Sequence, residues 1–193
     1  LVNAEVYADK DVVVTTQIVT SQVMALGTVL VPQGAIAGGL VSALGGVDAE
    51  TIGSESAVKT IVVAGINYKL ADITKETAHI VSASKKELES ILKELAAGKD
   101  DATVKGREKL AALAARKKEL DDAIAAAEKR RTDEIDLTHE LARPVVIVRK
   151  MLYPGSDIRL GDCRTVINDP VRGPAKLVAD KNTGDIRFLP LSG

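Results

Sequence analysis

The chain has 193 residues, enough for one or two domains with a real core, and its formal net charge of −1 gives no global pull toward nucleic acid or an acidic membrane. Only four residues are aromatic (Tyr7, Tyr68, Tyr153 and Phe188), so any core is built from Val, Ile, Leu and Ala. The single cysteine, Cys163, excludes an intrachain disulfide framework and fits a reducing compartment.

Residues 1–71 carry a repeat. Val6-x-Ala8-x-x-x-Val12-x-Val14 returns as Val23-x-Ala25-x-x-x-Val29-x-Val31, and then as Val41-x-Ala43-x-x-x-Val47-x-Ala49. The offsets are seventeen and eighteen residues. A fixed period with small or β-branched residues at alternate positions predicts a β-solenoid, one coil per repeat. In each coil the first Val and the Ala point inward on one flat face, and the later pair lines the next. Ile18, Ile36 and Ile52 fill a third. Successive coils then stack about 4.8 Å apart by parallel strand hydrogen bonds. Gly27, Gly34, Gly38, Gly39, Gly45, Gly46 and Gly53 fall at the corners. A further coil runs through Thr60-Ile61-Val62-Val63-Ala64-Gly65. The chain opens at Leu1 inside a repeat, which reads as a piece of a longer protein.

Residues 12–47 contain no charge, so a membrane span is the competing reading of this stretch. Polar residues interrupt it, Pro32 and the glycine pairs break any helix, and the alternation has period two. The solenoid is the better account.

Residues 72–136 change character, with fifteen acids, fourteen bases and no proline. Ile80, Ser84, Leu88, Ile91 and Leu95 share one helical face; Leu110, Leu113, Lys117, Leu120, Ile124 and Ala127 share another, at alternating three- and four-residue steps. Gly98-Lys99-Asp100-Asp101 is the connection, with Gly98 ending one helix and Asp100 or Asp101 capping the next. The expectation is an antiparallel coiled-coil hairpin with arms of about 25 residues, each roughly 37 Å long. Gly106 weakens the start of the second arm. Ser84 and Lys117 in the seams either fix register or reach solvent by their stems.

Residues 137–193 return to strands. Val145-Val146-Ile147-Val148 and Ile158-Arg159-Leu160 flank the turn Tyr153-Pro154-Gly155-Ser156, and Ala175 to Ala179 with Asp185 to Leu189 form a terminal β-hairpin. The simplest assembly makes the helical pair an insertion, after which the chain rejoins the stack. The fold class is therefore mainly β: a single-stranded parallel β-solenoid of about 17–18 residues per coil, carrying an antiparallel helical hairpin.

This order of elements resembles the family that includes flagellar assembly protein A. The matching residues are the Val-x-Ala coils, Ile36-Ala37-Gly38-Gly39, Ile52-Gly53-Ser54, Thr60-Ile61-Val62-Val63-Ala64-Gly65, the charged helical pair and Leu152-Tyr153-Pro154-Gly155. The resemblance implies a β-helix with a coiled-coil hairpin, in a cytoplasmic bacterial protein tied to flagellar assembly or polar organisation. The amino-terminal region that members usually carry is not in these 193 residues. The resemblance carries over no catalytic residues.

Chemistry is sparse. His79 and His139 lie sixty residues apart without clustered carboxylates or a second cysteine, and read as helix-surface residues rather than metal ligands. Cys163 has no His motif beside it and reads as a small buried residue. The glycines from Gly34 to Gly46 lack the Gly-Lys-Ser/Thr of a phosphate loop. Asp121 and Asp122, and Asp133, Glu134 and Asp136, read as solvated helix faces. Arg143, Arg149, Lys150, Arg159 and Arg164 lack the interleaved aromatics of a nucleic-acid surface.

No catalytic, cofactor-binding or metal-binding residue is assigned, and no cofactor. The expected function is a non-enzymatic scaffold that binds protein partners through solenoid and arm, with self-association through solenoid ends or the arm as a further route. No nucleic-acid partner and no membrane span are expected. The alternatives are a filament-forming cytoskeletal or division-regulating β-helix, and a solenoid acyltransferase, against which the coils lack a hexapeptide repeat and hold no histidine.

Overall fold

A computed structural model describes residues 1–97, 104–180 and 182–191. The connection at Gly98-Lys99-Asp100-Asp101 lies outside the described residues. The chain divides into two compact units, Leu1–Tyr68 with Thr138–Gly193, and Lys69–Leu137.

The first unit is a β-solenoid, and its repeat falls in register. Strand β1 (Glu5–Ala8) is followed by β2 (Val12–Val13), β3 (Gln17–Ala25), β4 (Val29–Ala43), β5 (Val47–Ile52) and β6 (Thr60–Ala64). After the helices come β7 (Val145–Leu152), β8 (Ser156–Leu160), β9 (Cys163–Val166), β10 (Val171–Arg172), β11 (Ala175–Ala179) and β12 (Ile186–Pro190). On the first face Ala8, Ala25, Ala43, Ala64 and Leu160 stack in one parallel column, beside Val6, Val23, Val41, Val62 and Ile158. On the second face Val12, Val29, Val47 and Val146 form the column. On the third it is Ile18, Ile36, Ile52 and Leu152. From the second rung upward all of these are essentially buried. Aliphatic columns in a tube this narrow leave no room for rings, and Tyr7 and Phe188 lie 55% and 41% exposed outside it.

Corners are tight. A Cβ on Gly34 would sit 1.5 Å from the Thr16 carbonyl oxygen of the coil below, and Gly39, at φ +82°, would meet the Ser21 carbonyl oxygen at 2.2 Å. Hydroxyls complete the corner between third and first faces. Ser21 Oγ accepts from Ala4 N–H and donates to the Val19 carbonyl; Thr60 Oγ1 accepts from Gly38 N–H and donates to the Val58 carbonyl. The uncharged stretch 12–47 is thus solenoid strand and corner, and among the described residues no helix is long and apolar enough to cross a membrane.

The helical hairpin interrupts one coil. Its chain leaves after β6 on the first face and returns at β7 on the second. The stack then closes by reversal. β9 runs antiparallel to β8, β10 and β11 antiparallel to β7, and β12 antiparallel to β11. Only the β11–β12 reversal was expected from sequence.

The second unit is the hairpin itself, from helix α1 (Leu70–Ala97) and the larger part of α2 (Val104–Leu141). Glu94 pairs with Lys109, Glu87 with Arg116 and Glu76 with Arg130, which runs the helices antiparallel. Ile73, Thr77, Ser84 and Ile91 are buried along α1, and Gly106 and Leu120 along α2. Thr77 Oγ1 reaches the Ala127 carbonyl at 3.4 Å, so the backbones approach closely where small residues face one another. The half-buried Lys117 sends its ammonium to Asp121 at 2.7 Å, solvating the head while the stem fills the seam. α2 continues to Leu141, past the end of the charged stretch near 136. Leu137 to Leu141 contain no breaker, and the helix stops only where Arg143 precedes Pro144.

Replacing Ala25 by Phe overpacks a fully enclosed rung between Ala8 and Ala43. It is expected to cost about 1–3 kcal/mol or more in denaturant unfolding. An unaltered unfolding curve would show that Ala25 does not face a filled interior.

Candidate functional site

Unit 1 concentrates its charge on the outward positions of its strands. Asp48 and Glu50 on β5 face Arg149 and Lys150 on β7: Arg149 Nε and Nη2 donate to the Asp48 carboxylate at 2.8 and 2.6 Å, and Lys150 Nζ donates to Glu50 at 3.4 Å. The register slips by one residue there, between Ala49 and Thr51, where Arg149 and Lys150 lie opposite the single residue Glu50. Higher in the stack, Asp157 on β8 is 4% exposed and holds two guanidinium groups. Arg159 reaches it at 3.4 and 2.9 Å and Arg164 of β9 at 3.0 and 2.9 Å. The Arg159 hydrogen bonds, opposed by burial and reinforced by Arg164, hold this carboxyl down to about 2. Arg143 donates to the Glu140 and Ala142 carbonyls at the helix end. All five basic residues singled out in the sequence therefore have partners inside the unit: Arg149 and Lys150 tie β7 to β5, Arg159 and Arg164 hold Asp157 within and across the β8–β9 reversal, and Arg143 closes a helix.

His139, on the last turn of α2, and the buried Cys163 line one cavity of about 660 Å³ with Thr138, Asp162 and the glycines Gly65, Gly161 and Gly184. Residues 24 positions apart in sequence thus share a wall, which spacing alone did not suggest. Neither side chain makes a hydrogen bond or ion pair with the other among the described residues, so no activated nucleophile is assembled. His79 is exposed on α1. Of the acids on the hairpin, Asp121 holds Lys117, while Asp122, Asp133 and Asp136 are exposed. Among the described residues no group of three or more His, Cys, Asp or Glu is arranged to hold a metal ion. The corner glycines sit within or between strands, and no helix begins at any of them from Gly27 to Gly53.

Two further contacts escaped the sequence reading. Asn67 Nδ2 donates to Thr138 Oγ1 at 2.8 Å, clasping the points where the chain leaves and re-enters unit 1. Tyr7 and Tyr68 meet at 5.8 Å between ring centroids, tilted by 50°. The Tyr7 hydroxyl donates to Glu5, which pushes its pKa up, and accepts from Gln22 Nε2. No local pattern predicts a pair separated by 61 or 71 positions; the polar Asn67 just past an apolar strand was the only available signal.

The hairpin is a long, exposed structure with a narrow seam. Its outward faces carry the pairs Glu87–Arg116, Arg116–Glu119 and Lys117–Asp121, and Arg116 holds Glu87 below the usual carboxylate range. Leu92 and Val104 stand 50% and 70% exposed.

Fold and site together define a β-solenoid interrupted by a helical hairpin, without an assembled reaction centre among the described residues. Residues 1–186 of the 193 match the flagellar assembly protein A (FapA) beta solenoid domain, and the chain belongs to that family. No curated protein matches the chain. No solved structure does either.

The sign of the Asp157 contribution follows from its depressed pKa. A folded-state value of about 2, against an ordinary 3.8, stabilises the fold fully above the ordinary value, and this is lost as pH falls toward about 2. Asp157→Asn is expected to lower stability by about 1 kcal/mol at neutral pH, a modest figure because both arginine heads face solvent. The gap between variant and native chain should close between about pH 4 and pH 2 in urea titrations. A gap that does not vary with pH would show that the carboxylate charge is not what matters.

Proposed function

We propose that this chain is a non-enzymatic scaffold in bacterial flagellar assembly or polar organisation, acting in the cytoplasm. The family name supplies the flagellar setting. The hairpin carries the reading: two long helices spend only a thin seam on each other and keep their outer faces for contact with something else. Protein partners dock by helix-against-helix packing on the arm of residues 72–136, while the solenoid of residues 1–71 and 137–193 supplies a rigid mount. The solenoid is stiff because every coil is tied to the next by backbone hydrogen bonds and filled columns.

The clasp between Asn67 and Thr138 makes the arm separable, since the chain leaves and re-enters at adjacent points. Replacing residues 72–136 by a short Gly/Ser linker is expected to leave the solenoid folded, with a cooperative melt and β-type circular dichroism. Affinity capture from cell extract, compared with the intact chain by mass spectrometry, should then lose at least one specific partner. An unchanged set of partners would remove the arm as the recognition element.

A further inference from the structure

The outer face of α2 is complementary to itself when reversed. Leu113, Lys117, Leu120 and Ile124 are the more buried side of the helix. About half a turn away, Glu108, Lys118, Asp122 and Lys129 lie exposed along one stripe, at helical steps of three and four residues, with small side chains such as Ala115 and Ala126 between them. Among the described residues none of these four charged groups has an ion-pair partner. The neighbouring Arg116 and Lys117 are by contrast held inside the arm, by Glu87, Glu119 and Asp121.

The charge around the stripe is divided by halves. Residues 104–118 hold six bases and one acid, and residues 119–137 hold seven acids and three bases. Residues 69–83 and 84–97, on the α1 side, are each balanced and do not cancel the division. The sign changes between Lys118 and Glu119, near the middle of the stretch that α2 contributes to unit 2.

An antiparallel copy of the helix turns this division into attraction. A two-fold axis at the height of Leu120 sets Lys118 of each copy level with Asp122 of the other, and brings Ala115 against Ala126. Glu108 then lies within one helical turn of Lys129 of the other copy. The basic half of each helix runs along the acidic half of its mate, whereas a parallel arrangement sets like against like. The alanines let the two axes approach to about 8 Å.

We propose that two copies of this chain pair arm to arm through these outer faces of α2, antiparallel about a two-fold axis near Leu120. This rests on the scaffold reading and deepens it by naming one partner of the arm. Each copy offers the same face, so the contact closes at two copies. Its charges are exposed, so it weakens as salt is added.

Sedimentation equilibrium of the intact chain tests this. The expected mass is twice that of one chain. An acidic variant, Lys118→Glu with Lys129→Glu, and a basic variant, Glu108→Lys with Asp122→Lys, each set like charges together and should raise the dissociation constant by about tenfold or more. Mixed in equal amounts, the two variants restore every opposite-charge contact and should pair as tightly as the native chain. Lys85→Glu with Lys86→Glu, the same charge change on α1, should stay paired. Should either variant fail to fold by circular dichroism, the single changes Lys118→Glu and Asp122→Lys are compared and mixed in the same way. A native chain that is monomeric at every concentration overturns the pairing. So do variants that stay paired on their own, a mixture that does not pair, or equal disruption by the α1 change. A monomeric chain that still loses a captured partner when residues 72–136 are removed ends the pairing and keeps the scaffold reading, so the two fail separately.

Discussion

Everything in the β unit depends on like stacking on like along inward columns. A parallel coil gains its hydrogen bonds only from the coils above and below, and its side chains are buried only if the next rung presents the same size at the same place. The column Ala8–Ala25–Ala43–Ala64 meets that demand with the smallest side chain available, so the valine column beside it closes the interior. Shift one coil by a single residue and every inward side chain turns to solvent. This constraint explains the near absence of aromatics, the corner glycines, and the hydroxyls that return hydrogen bonds where the backbone turns.

Interior rungs are satisfied on both sides. The last rungs are covered by antiparallel reversals that take the chain back over its own core. Polar chemistry is spent on cohesion instead. Asp157 gathers two arginines, Arg159 from its own strand and Arg164 from the next, and Asp48 grips a third across two coils.

The hairpin follows a different logic. Its seam mixes large and small residues, and the helices approach closely where Thr77 faces Ala127. Interhelical carboxylate–arginine pairs flank that seam, and being exposed they set direction and register more than they stabilise. An element with so little core of its own holds together through local helical hydrogen bonds and one thin interface, a construction that leaves most of its surface unused.

How much was legible in the sequence follows from how local each interaction is. The coil period, the corner positions, the seams and the terminal β-hairpin were all readable, because strand alternation and helical period are imposed by backbone geometry over a few residues. The family resemblance was readable for the same reason, being carried by those motifs in order. Only the tertiary structure decided the rest. It placed His139 and Cys163 on one cavity wall, clasped Asn67 to Thr138 across the insertion, gave Asp157 two arginines, and reversed β9 and β10. Each of these depends on which rung a residue reaches after a 70-residue excursion or a tight reversal, and that is fixed by side chains competing for one stacked position, a condition with no signature in local spacing.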